Sequence, residues 1–404
     1  MLGGFLFVLM GNVLRLGAGL LVIVLLARRL GPDGFGVFAY GLAVASLAVM
    51  PLNFGLSTAV LRRFGAEPER SLDALAEALT GKLLLLGPLL LAALIGAALL
   101  PSPLGVVFMA LLLAQAVESF SEVYQLGFRA ASRFKDEART ASTTALLHVG
   151  IMAATAWFWP EPMRCALAFM VSRALGLVLT AHASQKAFKR IPLSTARAAW
   201  QCLRAAVAYA VEFALTTANT QLDSVLIQSQ LGVRAVGLYQ AGMKLVQGVS
   251  RLAPILALYL LPRLTRRVQA GGMEQAVFTM GVFGGIGLLS GGALAVAADP
   301  IANTLFGPRF AELGALLPWF GLLLALRFIE TGAGLVLVAA DLQRRKVWLV
   351  ALQLLVLLGG GVWALSTWGL LGWLWVAIGS TVLLLMLYIW LWRRHRRAHS
   401  TVET

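Results

Sequence analysis

Charged residues lie inside apolar runs of this chain, and the spacing of ten of them sorts these into two kinds of chemistry. Arg15, Arg173, Lys244, Arg251 and Arg327 are the bases; Glu118, Glu122, Glu212, Asp223 and Glu330 are the acids. A base at the centre of a lipid-facing helix is unfavourable by about 2.5–3.5 kcal/mol, so five are tolerable only where they face protein or water. Lys244, Gln247 and Arg251 recur at i, i+3, i+7 with no acid among them, and Asn12 shares a face with Arg15. Arg173 has no carboxylate in its own run either. Such bases need an acid from another helix or a bound anion, and guanidinium groups suit phosphate. Arg15, Arg173, Arg251 and Arg327, helped by Lys244 and Asn12, are therefore candidates for a cationic, anion-binding cavity. Lys244 lies nearer an interface and can snorkel, and Arg327 stands three residues from Glu330, a spacing that also suits a local pair.

The acids are organised as well. Gln115, Glu118, Glu122 and Gln125 fall at i, i+3, i+7, i+10, a wet stripe on an apolar rod, and Glu212, Asn219 and Asp223 return to nearly one angle at i, i+7, i+11. Carboxylates inside a membrane are proton or cation sites, or partners of buried bases. Glu118, Glu122, Glu212, Asp223 and Glu330 are thus candidates for coupling to H+ or Na+. Glu212, nearer mid-membrane, is the better one; Asp223 is expected near the outer end. His148 reads as a satisfied core residue. No Cys/His cluster has metal-ligand spacing, no cofactor is expected, and Cys165 and Cys202 fall on opposite predicted membrane faces, which argues against a disulfide.

The elements that hold these residues are membrane helices. Apolar residues make up 59% of the 404 and charged ones 13%, with mean hydropathy +0.83; soluble domains carry about 25% charged residues. Twelve runs of the roughly 20 residues that a span requires lie near 4–26, 35–60, 79–100, 104–127, 140–159, 163–185, 203–227, 236–262, 276–298, 313–340, 346–366 and 369–392. The fold class is therefore an all-α polytopic membrane protein. The first run lacks a basic leader and reads as a retained helix.

Charge placement orients the runs. With the N-terminus inside, the inner segments hold 23 of the 33 basic residues, Lys82 counted among them, and the outer side only Arg28, Arg29, Arg164, Arg234 and Arg309. Both termini are expected in the cytoplasm. This distribution accounts for the net charge of +15 without nucleic acid. Tryptophans gather at the predicted ends of the runs, as interfacial rings do. Pro51, Pro88 and Pro254 lie inside runs and remove helix hydrogen bonds; Pro51 and Pro254 are candidate hinges.

The chain also repeats. Leu30-Gly31 and Gly36 answer to Leu231-Gly232 and Gly237, Arg62 to Arg263, and loosely Pro51 to Pro254, about 201 positions on. The halves are expected at 1–190 and 203–404, two pseudo-symmetric six-helix bundles around a central cavity. The basic, Pro192-containing stretch 191–202 joins them as a cytoplasmic linker, and a short basic tail ends the second.

The sequence ARRLGPDGFG from Ala27, with the following apolar run, NFGL and Arg62-Arg63, resembles the start of Wzx-type polysaccharide flippases. These belong to the superfamily that includes MATE exporters and lipid II flippases. In the second half, LGVRAVGLYQAGMKL, LPRLTR and LFGPRF resemble later turns of the same family. The resemblance implies a flippase of the bacterial inner membrane that moves a polyprenyl-pyrophosphate-linked oligosaccharide (an O-antigen or lipopolysaccharide precursor) from the inner to the outer leaflet by alternating access. Its partners would be that lipid, the bilayer and other polysaccharide-assembly membrane proteins. A MATE-type cation-coupled exporter of small organic cations is the alternative. A membrane-embedded polymerase or ligase is disfavoured, because the short outer loops hold no acid–base pair. No phosphate-binding loop for ATP is present either.

Overall fold

The computed structural model describes residues 2–98, 102–187, 190–269 and 273–400. Side chains are described from Gly17 on, apart from residues 102, 103, 187, 255, 258, 259, 262, 263, 266–269, 273 and 396–400. Twelve helical rods account for nearly all of it: α1 (2–30), α2 (32–66), α3 (Ser71–Ala98), α4 (Ser102–Ala130), α5 (Phe134–Phe158), α6 (Pro162–Ala187), α7 (196–231), α8 (233–269), α9 (Met273–Val296), α10 (Ala311–Ala339), α11 (343–368) and α12 (370–400). Among the described residues, seven helices are long and apolar enough to cross a membrane. One of these, 343–395, is the α11–α12 pair, broken at Gly369. Gly17–Ala48 and Met50–Ala66, bent at Val49, add an eighth when taken as one span. α7 and α8, which carry the polar stripes of Glu212 and Lys244, are not among the seven. The protein is a multi-pass, all-helical membrane protein.

Where one rod gives way to the next, glycine sets the angle. Gly31 has φ 72°, ψ 175° and Gly232 has φ 80°, ψ 178°. This region of backbone space is essentially restricted to glycine, so the repeated Leu-Gly is a repeated conformation. Gly307 takes the same one (φ 88°, ψ 173°) before Pro308. Further along, α2 breaks at Val49, bending by 46°, and resumes as Met50–Asn53 and Leu56–Ala66. α8 breaks at Arg251. Pro51 and Pro254 stand just after these two breaks, where each lacks the N–H that would bond the preceding turn.

The repeat continues through the hydrogen bonds. After α4, Ala131 N bonds Gly127 O, Ser132 N bonds Arg129 O and Arg133 N bonds Phe128 O; after α10, Ala340, Asp341 and Leu342 bond Val336, Val338 and Leu337 in turn. Each of these partners stands 209 positions beyond its counterpart. The left-handed residue recurs as well, at Ser132 (φ 54°) and Asp341 (φ 58°).

The chain divides into two compact units, Met1–Gln228 and Ser229–Thr404. This division lies beyond the stretch 191–202, where sequence alone places a linker. Packing explains the difference: Ile191 is buried in a cluster with Leu75, Val123 and Leu126, and Ser194 N bonds Thr80 Oγ1 at 2.9 Å. Cys202, Leu203 and Ala206 of α7 then bury against Leu56 of α2. In the second unit, Leu337, Leu384 and Tyr388 centre a comparable cluster from α10 and α12.

Candidate functional site

The acidic stripe of α4 serves two neighbours. Gln115 and Glu122, seven apart, face α2: Gln115 Nε2 donates to Ser46 Oγ at 2.7 Å, and Ser57 Oγ donates to Glu122 at 3.1 Å. Glu118 and Gln125, also seven apart, line a cavity of about 60 Å³ toward α5 and α6. Seven residues are nearly two helical turns, so each pair shares a face.

In that cavity Arg173 Nη1 donates to Glu118 at 3.2 Å, and the guanidinium lies 4.8 Å from the Phe169 ring centre. Arg173 thus receives its acid from another helix. His148 and Ser172 line the same space. Ser172 Oγ donates to Phe169 O at 2.7 Å, which commits its one proton; the 2.7 Å contact with His148 Nδ1 is then donated by the ring. The ring of His148 therefore carries a proton on Nδ1. Ser121 Oγ and Arg173 Nε are buried with no protein partner among the described residues, which suits a polar, water-sized space. The arrangement can hold a proton or a small cation beside Glu118. Sequence reasoning left His148 out, since a single histidine carries no spacing signal.

A second buried network was also missed. Lys82, assigned by charge counting to an inner basic segment, is 1% exposed. Its amine donates to Ser119 O at 2.8 Å, to Ser119 Oγ, and to Asn53 Oδ1 at 3.4 Å. Asn53 belongs to the short turn after the α2 break, so α3 and α4 together pin the broken segment. A signal was available, because Lys82 lies within the apolar run 79–100.

The other expected residues are distributed as follows. Arg15 and Asn12 lie outside the described side chains. Lys244 is half-buried and donates to Gln247 Oε1 at 3.2 Å. Arg251 is exposed at the α8 break, its backbone N–H bonded to Gln247 O. Arg327 points Nη1 at Met243 Sδ, 3.9 Å away, and Glu330, three residues on, is half-buried. Asp223 is 7% exposed, its Oδ1 accepting from Ser224 N at 2.7 Å, whereas Glu212 is exposed. Cys165 and Cys202 are both buried and free.

Arg29 of the first turn finds a role that composition did not suggest. Arg29 donates to Ala156 O (3.1 Å) and Trp157 O (2.8 Å) and stacks 4.7 Å over Trp157, capping the last carbonyls of α5. Gln230, 201 positions on, donates to Val362 O of α11 at 3.3 Å. A neutral donor fills the matching place in the second unit.

Solved structures share this fold. The lipid II flippase MurJ in an inward closed conformation superposes with TM-score 0.74 at 14% identity, over 96% of this chain and 87% of that one. An inward-facing multidrug resistance MATE family transporter of the MOP superfamily gives 0.71 at 14% identity, over 96% and 95%. A MOP superfamily transporter from Pyrococcus furiosus gives 0.64 at 15% identity, over 98% and 96%. No curated protein sequence matches. Residues 1–268 match the profile of the family described as "Polysaccharide biosynthesis protein". These structures share the fold, and the family profile over residues 1–268 assigns the chain: it belongs to this polysaccharide biosynthesis family.

Proposed function

We propose that the protein is a flippase that moves a polyprenyl-pyrophosphate-linked oligosaccharide from the inner to the outer leaflet of the bacterial cytoplasmic membrane, with both termini cytoplasmic. The family match over residues 1–268 carries this reading. Geometry supports it in two ways. The twin breaks at Val49 and Arg251 give α2 and α8 the interrupted form from which transporters build binding sites. Arg251 stands exposed at the second break, with Lys244 two turns before it, and guanidinium at an opening helix is suited to a diphosphate. Arg15, Asn12 and Arg327 complete the proposed cationic set. Arg173 belongs to it less directly, since Glu118 already neutralises it.

The test is translocation of lipid-linked oligosaccharide by the full-length protein in vesicles, beside Arg15→Ala and Arg251→Ala at matched levels. Wild type flips the lipid and both variants lose most activity while remaining folded. Full activity in Arg251→Ala overturns the cationic cavity.

One observation favours a second reading, coupled export of organic cations. Glu118, Arg173 and His148 gather in a water-sized polar space, which suits H+ or Na+ as a coupling ion. Movement of small cationic dyes, with the lipid untouched, selects this reading.

A further inference from the structure

Away from these residues, the first unit holds a larger cavity of about 440 Å³ at the end of α2, closed by α3 and α7. Arg62, Arg63 and Arg70 line it, with Glu77 and Tyr209. Small residues, Ala59 and Ala198 among them, leave the room. We infer that this cavity is a phosphate-recognition site, which takes the phosphate-bearing headgroup of a lipid at the inner membrane surface. The inference rests on the flippase reading only for the identity of that lipid.

Three observations carry it. First, the charges converge on one space from different segments, whereas a basic inner loop needs only to be basic. Arg62 and Arg63 come from the end of α2, and Arg70 from the turn Pro68–Arg70. Second, the guanidiniums are held but not used up. Arg62 Nη1 donates to Tyr209 Oη at 2.6 Å, a neutral partner that fixes the side chain and leaves its charge unmatched. Arg63 Nη1 is matched by Glu77. Arg70 reaches Glu67 at 3.2 Å and Asp73 at 4.0 Å, both on the exposed side and neither lining the cavity. The lining thus holds three positive groups and one negative, an excess that a phosphate or diphosphate satisfies, and the guanidinium fork matches its oxygens.

Third, the fold builds the site deliberately at one contact. Gly55 has φ 61°, and a Cβ there would meet the backbone of Tyr209 at about 2.5 Å. Only glycine both adopts this φ and admits α7 so closely. That approach brings Tyr209 to Arg62, seven residues beyond Gly55 and nearly two turns along α2. The site also lies beyond the Val49 break, on the segment that any bending of α2 would carry with it.

The experiment is calorimetric titration of full-length protein in phosphatidylcholine nanodiscs with farnesyl diphosphate, inorganic diphosphate, or added phosphatidylglycerol in the disc. Wild type is expected to bind farnesyl diphosphate, and Arg62→Gln to weaken it about tenfold, the scale of one hydrogen bond to a charged group. Tyr209→Phe, which keeps the packing and frees the guanidinium, weakens it less. Arg139→Gln, an exposed inner arginine outside the cavity, leaves it unchanged. Equal binding of inorganic diphosphate assigns the site to phosphate itself; competition by phosphatidylglycerol assigns it to anionic lipid headgroups in general. No binding by wild type, unaltered binding by a folded Arg62→Gln, or an equal loss in Arg139→Gln overturns the site. Translocation assayed on the same variants separates the two claims. Flipping without binding here removes only the site, and binding without flipping removes only the flippase reading.

Discussion

At position 82 the first unit buries an amine, and 201 positions on, the second buries the ring of Phe283; both are at most 1% exposed. The contrast recurs along α4 and α10, whose terminal hydrogen bonds correspond one for one at a shift of 209. At that shift Glu118 becomes Arg327, Ser121 becomes Glu330, His148 becomes Leu357 and Arg173 becomes Val382. Glu137, buried against Arg129, becomes Lys346, whose amine packs at Gly334 of α10. The backbone plan determines which positions face the interior but not whether they are polar. Close contacts are preserved while their chemistry changes: Gly41 meets Leu111 of α4, and Gly242 meets Phe320 of α10, again at shifts of 201 and 209. The first unit has used its interior positions for hydrogen-bonded networks and a small polar cavity, the second mostly for packing.

The largest expected effect tests that contrast directly. Phe283→Ala should destabilise the second unit by about 3–5 kcal/mol, the range for emptying a buried aromatic site. Lys82→Met should destabilise the first by only about 1–3 kcal/mol, because packing survives and the acceptors on Ser119 and Asn53 lose their donor. Chemical unfolding in mixed micelles reads both; a larger loss for Lys82→Met would make the polar network the stronger core. Next, Gly242→Ala forces a Cβ into the Phe320 ring and should remove about 1–3 kcal/mol. At Gly41 the new Cβ meets Leu111 and Val107 at 3.1 and 3.2 Å, side chains that can yield. A loss below about 1 kcal/mol is expected there, since flexible neighbours relieve overpacking. Equal losses would indicate that the two contacts are equally tight.

Gly31→Ala and Gly232→Ala probe what the units share. With the same φ and ψ at both, each should lose about 1–3 kcal/mol, the cost of holding a residue with a Cβ in this region. Melting temperatures of the two variants that differ by many degrees would break the conformational repeat. The smallest effect is the coupling between Glu118 and Arg173. Each side chain is about a third exposed (32% and 31%), so a double-mutant cycle with Glu118→Gln and Arg173→Gln should return about 1 kcal/mol, between surface and fully buried pairs. A coupling of zero would leave the cavity polar without an ion pair.

Much of the fold was legible in the sequence because its signals are local. Apolar run length, Gly-Pro turns and the Leu-Gly repeat depend on residues next to one another, and the twelve runs correspond to the twelve rods. The polar residues were legible as a set but not as partners. Arg173 had no acid on its own helix, and only the approach of α4 to α6 supplied Glu118. Counting charges by segment placed Lys82 at the inner surface, although burial decides its environment. The arginines lining the larger cavity were read as an inner basic segment, and no sequence pattern relates Tyr209 to Arg62 across 147 positions.

The sequence by itself determined that this is a helical membrane protein built on a repeated unit, because hydropathy and glycine conformation act within a few residues. Tertiary structure alone decided which charges are matched, which are buried and which converge. An ion pair or a cavity is a property of the distance between helices, and that distance is set by contacts such as Gly55 against Tyr209, which no single helix encodes.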